Sequence, residues 1–183
     1  MILITGDSDL AREIKNQCSG NVHIVGRALY DLSIKKDCDR LISDYTPQVV
    51  INTAALNQSN DVWNILTVNY VSATYLTLGF YNKLDSGHII NISSTSTYWT
   101  SWPGISDGRF FYNLSKEALS QFGKNFNRKI VDTVDKSVTV STIELGAFKS
   151  KFNNYKESMS IEKVANLVIQ CIQNPVTTIA CIK

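Results

Sequence analysis

The sequence lacks most of the features that announce a specialised chemistry. Its four cysteines, Cys18, Cys38, Cys171 and Cys181, lie far apart and form neither a C-x-x-C pair nor a cluster with histidine at metal-ligand spacing. That excludes a zinc ribbon or disulfide scaffold and fits buried, reduced thiols, so no metal is expected. There is no basic run and no interleaving of aromatic with basic residues, and 18 Lys and Arg against 16 Asp and Glu leave a net charge of only +2. A nucleic-acid backbone finds no track on such a surface, so no nucleic-acid partner is expected. No membrane partner is expected either. The opening MILITGDSDL has no basic leader and only a short apolar run before Gly6, and it reads as the first strand of a soluble, cytoplasmic protein. Internal repeats, linkers and low-complexity segments are absent as well.

What is present is apolar content for one core. With 44% apolar residues in 183, a single domain over 1–183 is expected. Apolar runs of strand length alternate with segments of helical period. ILIT (2–5), NVHIVG (21–26), QVVINTAA (48–55), GHIINIS (87–93), SVTVSTIEL (137–145) and TTIACI (177–182) read as strands, with LYDL (29–32) as a further short one. Helices are expected over 9–18, 34–45 with Ser33 as cap, much of 61–83, about 110–130, and 160–173 with Ser160 as cap. Strands that read as continuous apolar runs belong to a sheet covered on both faces. The expected fold class is α/β, a doubly wound parallel sheet in one three-layer α/β/α domain.

In such a sheet ligands bind beyond the carboxyl ends of the strands, so the residues just after each strand carry the information. Gly6, in TGDSDLAR, follows the first strand and precedes a helix. Glycine there lets the backbone approach a phosphate at the helix N-terminus, and it serves equally as a tight turn. Leu10 and Ala11 stand where further glycines of a phosphate-binding fingerprint would be expected. After the second strand comes Arg27, where a basic residue accommodates the 2′-phosphate of a dinucleotide and an acidic one would hold ribose hydroxyls; the alternative is a solvated surface arginine. A bound dinucleotide would therefore be NADP(H) in preference to NAD(H). Finally, FFYNLSKEAL places Tyr112 and Lys116 four apart on one helix face. An ammonium beside a phenol favours its ionised form, which makes such a pair usable for proton transfer, although the bare spacing is common.

Together and in this order, these motifs resemble the short-chain dehydrogenase/reductases over nearly the whole chain. TGDSDLAR resembles the family's glycine-rich cofactor turn, YDLS its adenine-contacting pair, INTAA its Asn-Ala-Gly strand end and VNYVSAT its helix with an asparagine. INISS followed by YNLSK resembles the serine-then-Tyr-x-x-x-Lys core, and ELGAFKS the segment that passes the nicotinamide. The resemblance implies that Tyr112 is the acid/base and that Lys116 lowers its pKa and holds the nicotinamide ribose. It further implies that Ser94, or less favourably Thr95, binds the reacting oxygen, while Asn69 supports a water-linked proton path to Lys116. It assigns Gly6, Ser8 and Leu10 to the pyrophosphate turn, Arg27 to the 2′-phosphate and Asp31 with Leu32 to the adenine. Asn52, Ala54 and Ala55 fall on the adenosine side, and Leu145 with Gly146 beside the nicotinamide. The short Arg27-to-Asp31 connection is more like the sugar-nucleotide-reducing branch.

The implied activity is interconversion of a small-molecule carbonyl and an alcohol by a homodimer or homotetramer, built on the helices over 61–83 and 110–130. Leu145 stands for the family's proline and Ser150 for its threonine. The glycine turn is one residue short. Only KSKFNNYKES separates the Gly146 turn from the last helix, so the substrate lid around 147–160 is reduced. The loop STYWTSWPGISDGRFF brings Tyr98, Trp99, Trp102, Phe110 and Phe111 beside the expected site. These aromatics suit a ring-shaped substrate, or they pack the loop or a subunit interface; Arg109 can meet an anionic group. Two readings compete with an oxidoreductase: a cofactor-sensing or scaffold protein on the same fold, and a sugar-nucleotide epimerase or dehydratase.

Overall fold

Val, Ile and Leu dominate Ile2–Thr5 (β1), Val22–Val25 (β2), Val49–Asn52 (β3), Ser86–Ser94 (β4) and Ser137–Leu145 (β5), which join Ala180–Ile182 (β6) in one sheet ordered β2-β1-β3-β4-β5-β6. Every pairing is parallel. The computed structural model describes residues 1–57, 61–95, 107–130, 136–151, 159–175 and 180–182. Successive strand side chains point to opposite faces, so the sheet feeds two cores. Ile4, Ile51, Ile90 and Ile143 pack with Asp9–Gln17 (α1) and Ile161–Gln173 (α6). Leu3, Val50, Ile89 and Val140 pack with Lys35–Asp44 (α2), Ala73–Lys83 (α4) and Asp107–Ile130 (α5). Sheet and two helical layers make the doubly wound architecture that the alternation of runs predicts.

The chain winds from β1 outward to β2, then returns across β1 to lay β3 on its other side. The connections after β1 and β3 therefore leave toward opposite faces, and a crevice opens at their carboxyl ends. Close backbone approach lines that crevice: Gly6 has φ +86°, and a Cβ on it would lie 2.6 Å from Ala54 Cα.

Two local expectations change. Residues 29–32 form a turn rather than a strand: the Leu29 and Tyr30 N–H groups donate back to the Gly26 carbonyl, at 3.1 Å each. Ser33 does not cap α2, since its hydroxyl donates to Asp31 Oδ1 at 2.7 Å and Ile34 is the capping position. The expected long helix over 61–83 is present in three parts: Val62–Leu66 (α3), a π-helical turn Thr67–Ser72, and α4. A π turn admits one extra residue per hydrogen-bonded ring, and here it carries two buried polar side chains, Asn69 and Ser72, toward neighbours. Among the described residues no helix is long and apolar enough to cross a membrane.

Helix α5 sits unusually close to β5. A Cβ on Gly123 would meet Thr142 Oγ1 at 2.1 Å and Thr142 Cβ at 3.0 Å, so the glycine sets the height of α5 above the sheet. Gly123→Ala is expected to lower stability by about 1–3 kcal/mol through overpacking, read as a lower urea midpoint with an unchanged m-value. An unchanged midpoint would show that α5 is not held there by contact.

Candidate active site

The carboxyl ends of β1 to β5 frame a cleft of about 1120 Å³, above the roughly 300–1,000 Å³ of a pocket for one small ligand. At its β1 end lie Gly6, Ser8 and Leu10. Ser8 caps α1, its Oγ accepting from the Ala11 N–H at 3.1 Å, and stands 3.4 Å from Thr53 Oγ1. Two acidic side chains flank this turn, and both are partnered. Asp7 is gripped by one edge of the Arg12 guanidinium, Nε and Nη2 donating to its two oxygens at 2.7 and 2.8 Å, which holds its carboxyl below the usual range. Asp9 accepts the Lys151 backbone N–H at 2.8 Å.

Beyond β2, Arg27, Asp31 and Leu32 line the cleft together. Asp31 accepts from the Ser33 hydroxyl and N–H and, at 2.9 Å, from Arg27 Nε; these bonds, Ser33's foremost, hold its carboxyl low. The rest of the Arg27 side chain stays in solvent, 71% exposed, so the outer edge of its fork is accessible to an anion. Ala54 and Ala55 line the middle of the cleft, and Leu145 and Gly146 its β5 side.

Ser94, at the end of β4, and Tyr112 and Lys116, on α5, meet at the other end. Tyr112 and Lys116 are both buried. Ser94 is hydrogen-bonded to the Tyr112 phenol; burial pushes that phenol's pKa up, while this bond and the Arg109 charge pull it down. Lys116, expected to lower the phenol's pKa, has a partner of its own. Its Nζ donates to the Ile92 carbonyl at 2.7 Å and lies 6.0 Å from the Tyr112 ring centre. Burial draws the ammonium itself down to about 8.

Two expected site residues do not line the cleft. Asn52 is the last residue of β3, and strand alternation turns it into the α4 layer. Its Nδ2 donates to Asn91 Oδ1 at 2.8 Å and its Oδ1 accepts from Thr5 Oγ1 at 3.3 Å, so it ties β1, β3 and β4 together. Asn69 is fully buried in the π turn. Its side chain pairs with both the N–H and the carbonyl of Leu56, at 2.7 and 2.8 Å, and donates to Ser115 Oγ at 3.1 Å. The amide is thus spent on joining the loop after β3 to α5. Tyr98, Trp99 and Trp102 lie outside the described residues, as does 152–158 of the expected lid. Phe110 and Phe111 are described and pack edge to face at 5.3 Å, but neither lines the cleft.

The cleft also has lining residues that the motifs do not single out, among them Thr53, Asn64, Asn113 and Phe148. Asn113 was recoverable from helical spacing, being four residues after Arg109 and three before Lys116. A dinucleotide fits this set of donors. The cradle at Gly6 that a Cβ would fill, the capped N-terminus of α1, the outward fork of Arg27 and the ammonium of Lys116 all border the cleft.

A buried ammonium with a depressed pKa leaves a pH signature. Between about 8 and Lys116's ordinary 10.5 the unfolded chain holds a proton that the folded one has released, so Lys116 makes stability rise with pH across that window. The stability difference between wild type and Lys116→Met, followed by urea unfolding from pH 7 to 10.5, is expected to shift in favour of the wild type above pH 8. A difference flat in pH would place the ammonium in contact with solvent.

No protein-family model matches the sequence, and no curated protein matches it. Solved structures do. The chain is similar to a short-chain dehydrogenase from Burkholderia cenocepacia in complex with NADP, with TM-score 0.79 and 15% identity over 100% of this chain and 87% of that one. It is similar to the 3-alpha-hydroxysteroid dehydrogenase from a Pseudomonas species complexed with NADH, with TM-score 0.81 and 14% identity over 99% and 94%. A short-chain dehydrogenase from Sphingobium yanoikuyae in complex with NADPH gives TM-score 0.73 and 16% identity over 98% and 76%. With identity this low and coverage this complete, what is shared is architecture: the chain has the fold of the short-chain dehydrogenases.

Proposed function

We propose that this chain is a short-chain dehydrogenase/reductase that uses NADP(H) to interconvert a carbonyl and an alcohol on a small molecule. The observation that carries the proposal is the meeting of Ser94, Tyr112 and Lys116 at one end of a cleft long enough for dinucleotide and substrate together. The nicotinamide, when bound, supplies or accepts the hydride. The remaining tasks fall to the chain. Tyr112 passes the proton to or from the substrate oxygen, and a phenol that burial keeps protonated is suited to donate it. Ser94, already bonded to that phenol, holds the same oxygen. Lys116, positive at neutral pH with a pKa of about 8, offers hydrogen bonds to ribose hydroxyls. Asn69 acts as a positioning residue, through Ser115 and α5. Gly6, Ser8 and Leu10 face the pyrophosphate, Arg27 the 2′-phosphate, Asp31 and Leu32 the adenine, and Leu145 and Gly146 the nicotinamide.

The same reading makes the protein a cytoplasmic, single-domain homodimer or homotetramer with a short lid around 147–160. Support for self-association comes from the α4/α5 side, where exposed Val71, Leu78 and Leu114 accompany a groove lined by Tyr70, Phe122 and Phe126.

Tyr112→Phe is expected to cut NADPH-coupled turnover by about 10²–10⁴-fold while NADPH affinity, followed by tryptophan quenching, stays within a few fold. Retained turnover would remove Tyr112 from the chemistry. Arg27→Ala should weaken NADPH by roughly 10-fold or more, the worth of a charge-assisted contact, and leave NADH nearly unchanged. Equal effects on both nucleotides would make Arg27 a surface residue.

A further inference from the structure

Charge is unevenly distributed along the cleft. Its acidic lining residues are Asp7, Asp9 and Asp31, all toward β1 and β2. Among the described residues around Ser94 and Tyr112, the lining carries Arg109 and Lys116 and no carboxylate. Arg109 lies one helical turn before both Tyr112 and Asn113, so the three share a face of α5. Its guanidinium carbon stands 5.3 Å from the centre of the Tyr112 ring.

Asn113 supplies a second, independent observation. It is 2% exposed, and its buried carboxamide oxygen has no hydrogen-bond partner. Buried amides are ordinarily paired, because an unpaired one forfeits the hydrogen bonds it had in water. A half-turn about the terminal torsion exchanges the oxygen for the NH2 group, so the side chain can present either to a ligand. Here it does so beside the proposed proton donor.

We infer that Arg109 and Asn113 form a carboxylate subsite flanking Tyr112, and that the substrate is a short oxo acid. Its carbonyl meets Tyr112 and Ser94, which rests on the reductase reading. Its carboxylate is gripped by the guanidinium fork, whose two parallel N–H groups match a carboxylate, and by the Asn113 NH2. Because the guanidinium lies over the ring of the proton donor, carboxylate and carbonyl are near neighbours in the substrate, as in a 2- or 3-oxo acid. Reduction then balances simply: a hydride adds to the carbonyl carbon, the Tyr112 proton goes to its oxygen, the dinucleotide is oxidised, and the carboxylate is unchanged. Arg109 and Asn113 are specificity-determining residues in this scheme and take no part in proton transfer.

The test is calorimetric titration of the full chain, with and without NADPH, using phenylpyruvate and benzoylacetate, each against its methyl ester. At least one acid is expected to bind about tenfold or more tightly than its ester, the scale of a charge-assisted hydrogen bond. Arg109→Gln should abolish that preference, and Tyr112→Phe should preserve it. Asn113→Ala removes an unpaired buried polar atom and so should fold as well as the wild type, with the acid weakened by roughly threefold or more. Equal affinity for acid and ester, binding of neither, or a preference that survives Arg109→Gln would overturn the subsite. Unaltered acid affinity in Asn113→Ala would remove Asn113 from it. A protein that binds the acid through Arg109 yet oxidises no NADPH with either acid would keep the subsite and lose the reductase reading.

Discussion

Lys116 is fastened to the end of β4 twice. Its main-chain oxygen accepts from Ser93 Oγ at 2.8 Å, and its ammonium donates to the Ile92 carbonyl at 2.7 Å; Ser120, one turn further along α5, adds a bond to Ser93. The geometry of the Tyr112 end of the cleft follows from this seam. It brings Tyr112, one turn before Lys116, against Ser94, the next residue of β4, and Gly123 permits the approach by leaving no side chain between α5 and Thr142. On the other side of the helix, Ser115 joins the Tyr112 carbonyl at 2.7 Å to the buried amide of Asn69. The cost lies in the ammonium, held where water cannot solvate it and correspondingly easier to deprotonate. A structure tuned for stability alone would place an apolar side chain there.

The turn between β1 and α1 is organised by a different compromise. In the family's fingerprint, glycines let the first helix approach both ligand and strand. Here Leu10 and Ala11 occupy the first turn of α1, and both are buried in the core with Ile14 and the apolar face of α6. Those positions serve packing, with Ala11 small enough to keep α1 close to the sheet. Close approach of backbone to ligand is left to Gly6, whose positive φ and contact with Ala54 no other residue can reproduce without strain. One glycine thus retains the task of a turn whose other positions stabilise the helix.

The fold was legible because its strands are apolar runs that alternate with segments of helical period. The segment 137–145 and the helix after Ser160 coincide with their sequence patterns, since burial on both faces and a capping hydroxyl leave strong local signals. The run 29–32 misleads because it is mostly apolar and of strand length, whereas Gly26, Asp31 and Asp37 capture its backbone in turns. The π turn is silent in sequence, as it depends on where Asn69 and Ser72 find partners across space. Proximity of Ser94, Tyr112 and Lys116 was readable from motif order, but the direction in which a side chain points was not. Asn52 ends β3 beside residues that line the cleft, yet strand alternation, set by Ile51 facing α1 and α6, turns it into the opposite layer.

The two ends of the cleft also differ in how their charges are balanced. Asp7 is matched by Arg12, Asp9 by a backbone N–H and Asp31 by Arg27 and Ser33, so the acidic groups near β1 and β2 are each answered locally. Toward Tyr112 the lining contributed by the described residues carries the cations Arg109 and Lys116 and no carboxylate. Both cations stand close to the phenol, and the low dielectric of a buried site amplifies their effect on it. The Arg109 charge opposes the effect of burial on Tyr112, and on the proposed function it favours ligands that carry negative charge at their reacting end. On that function, proton transfer and substrate selection would draw on one arrangement of charge, set by which residues α5 turns toward the cleft.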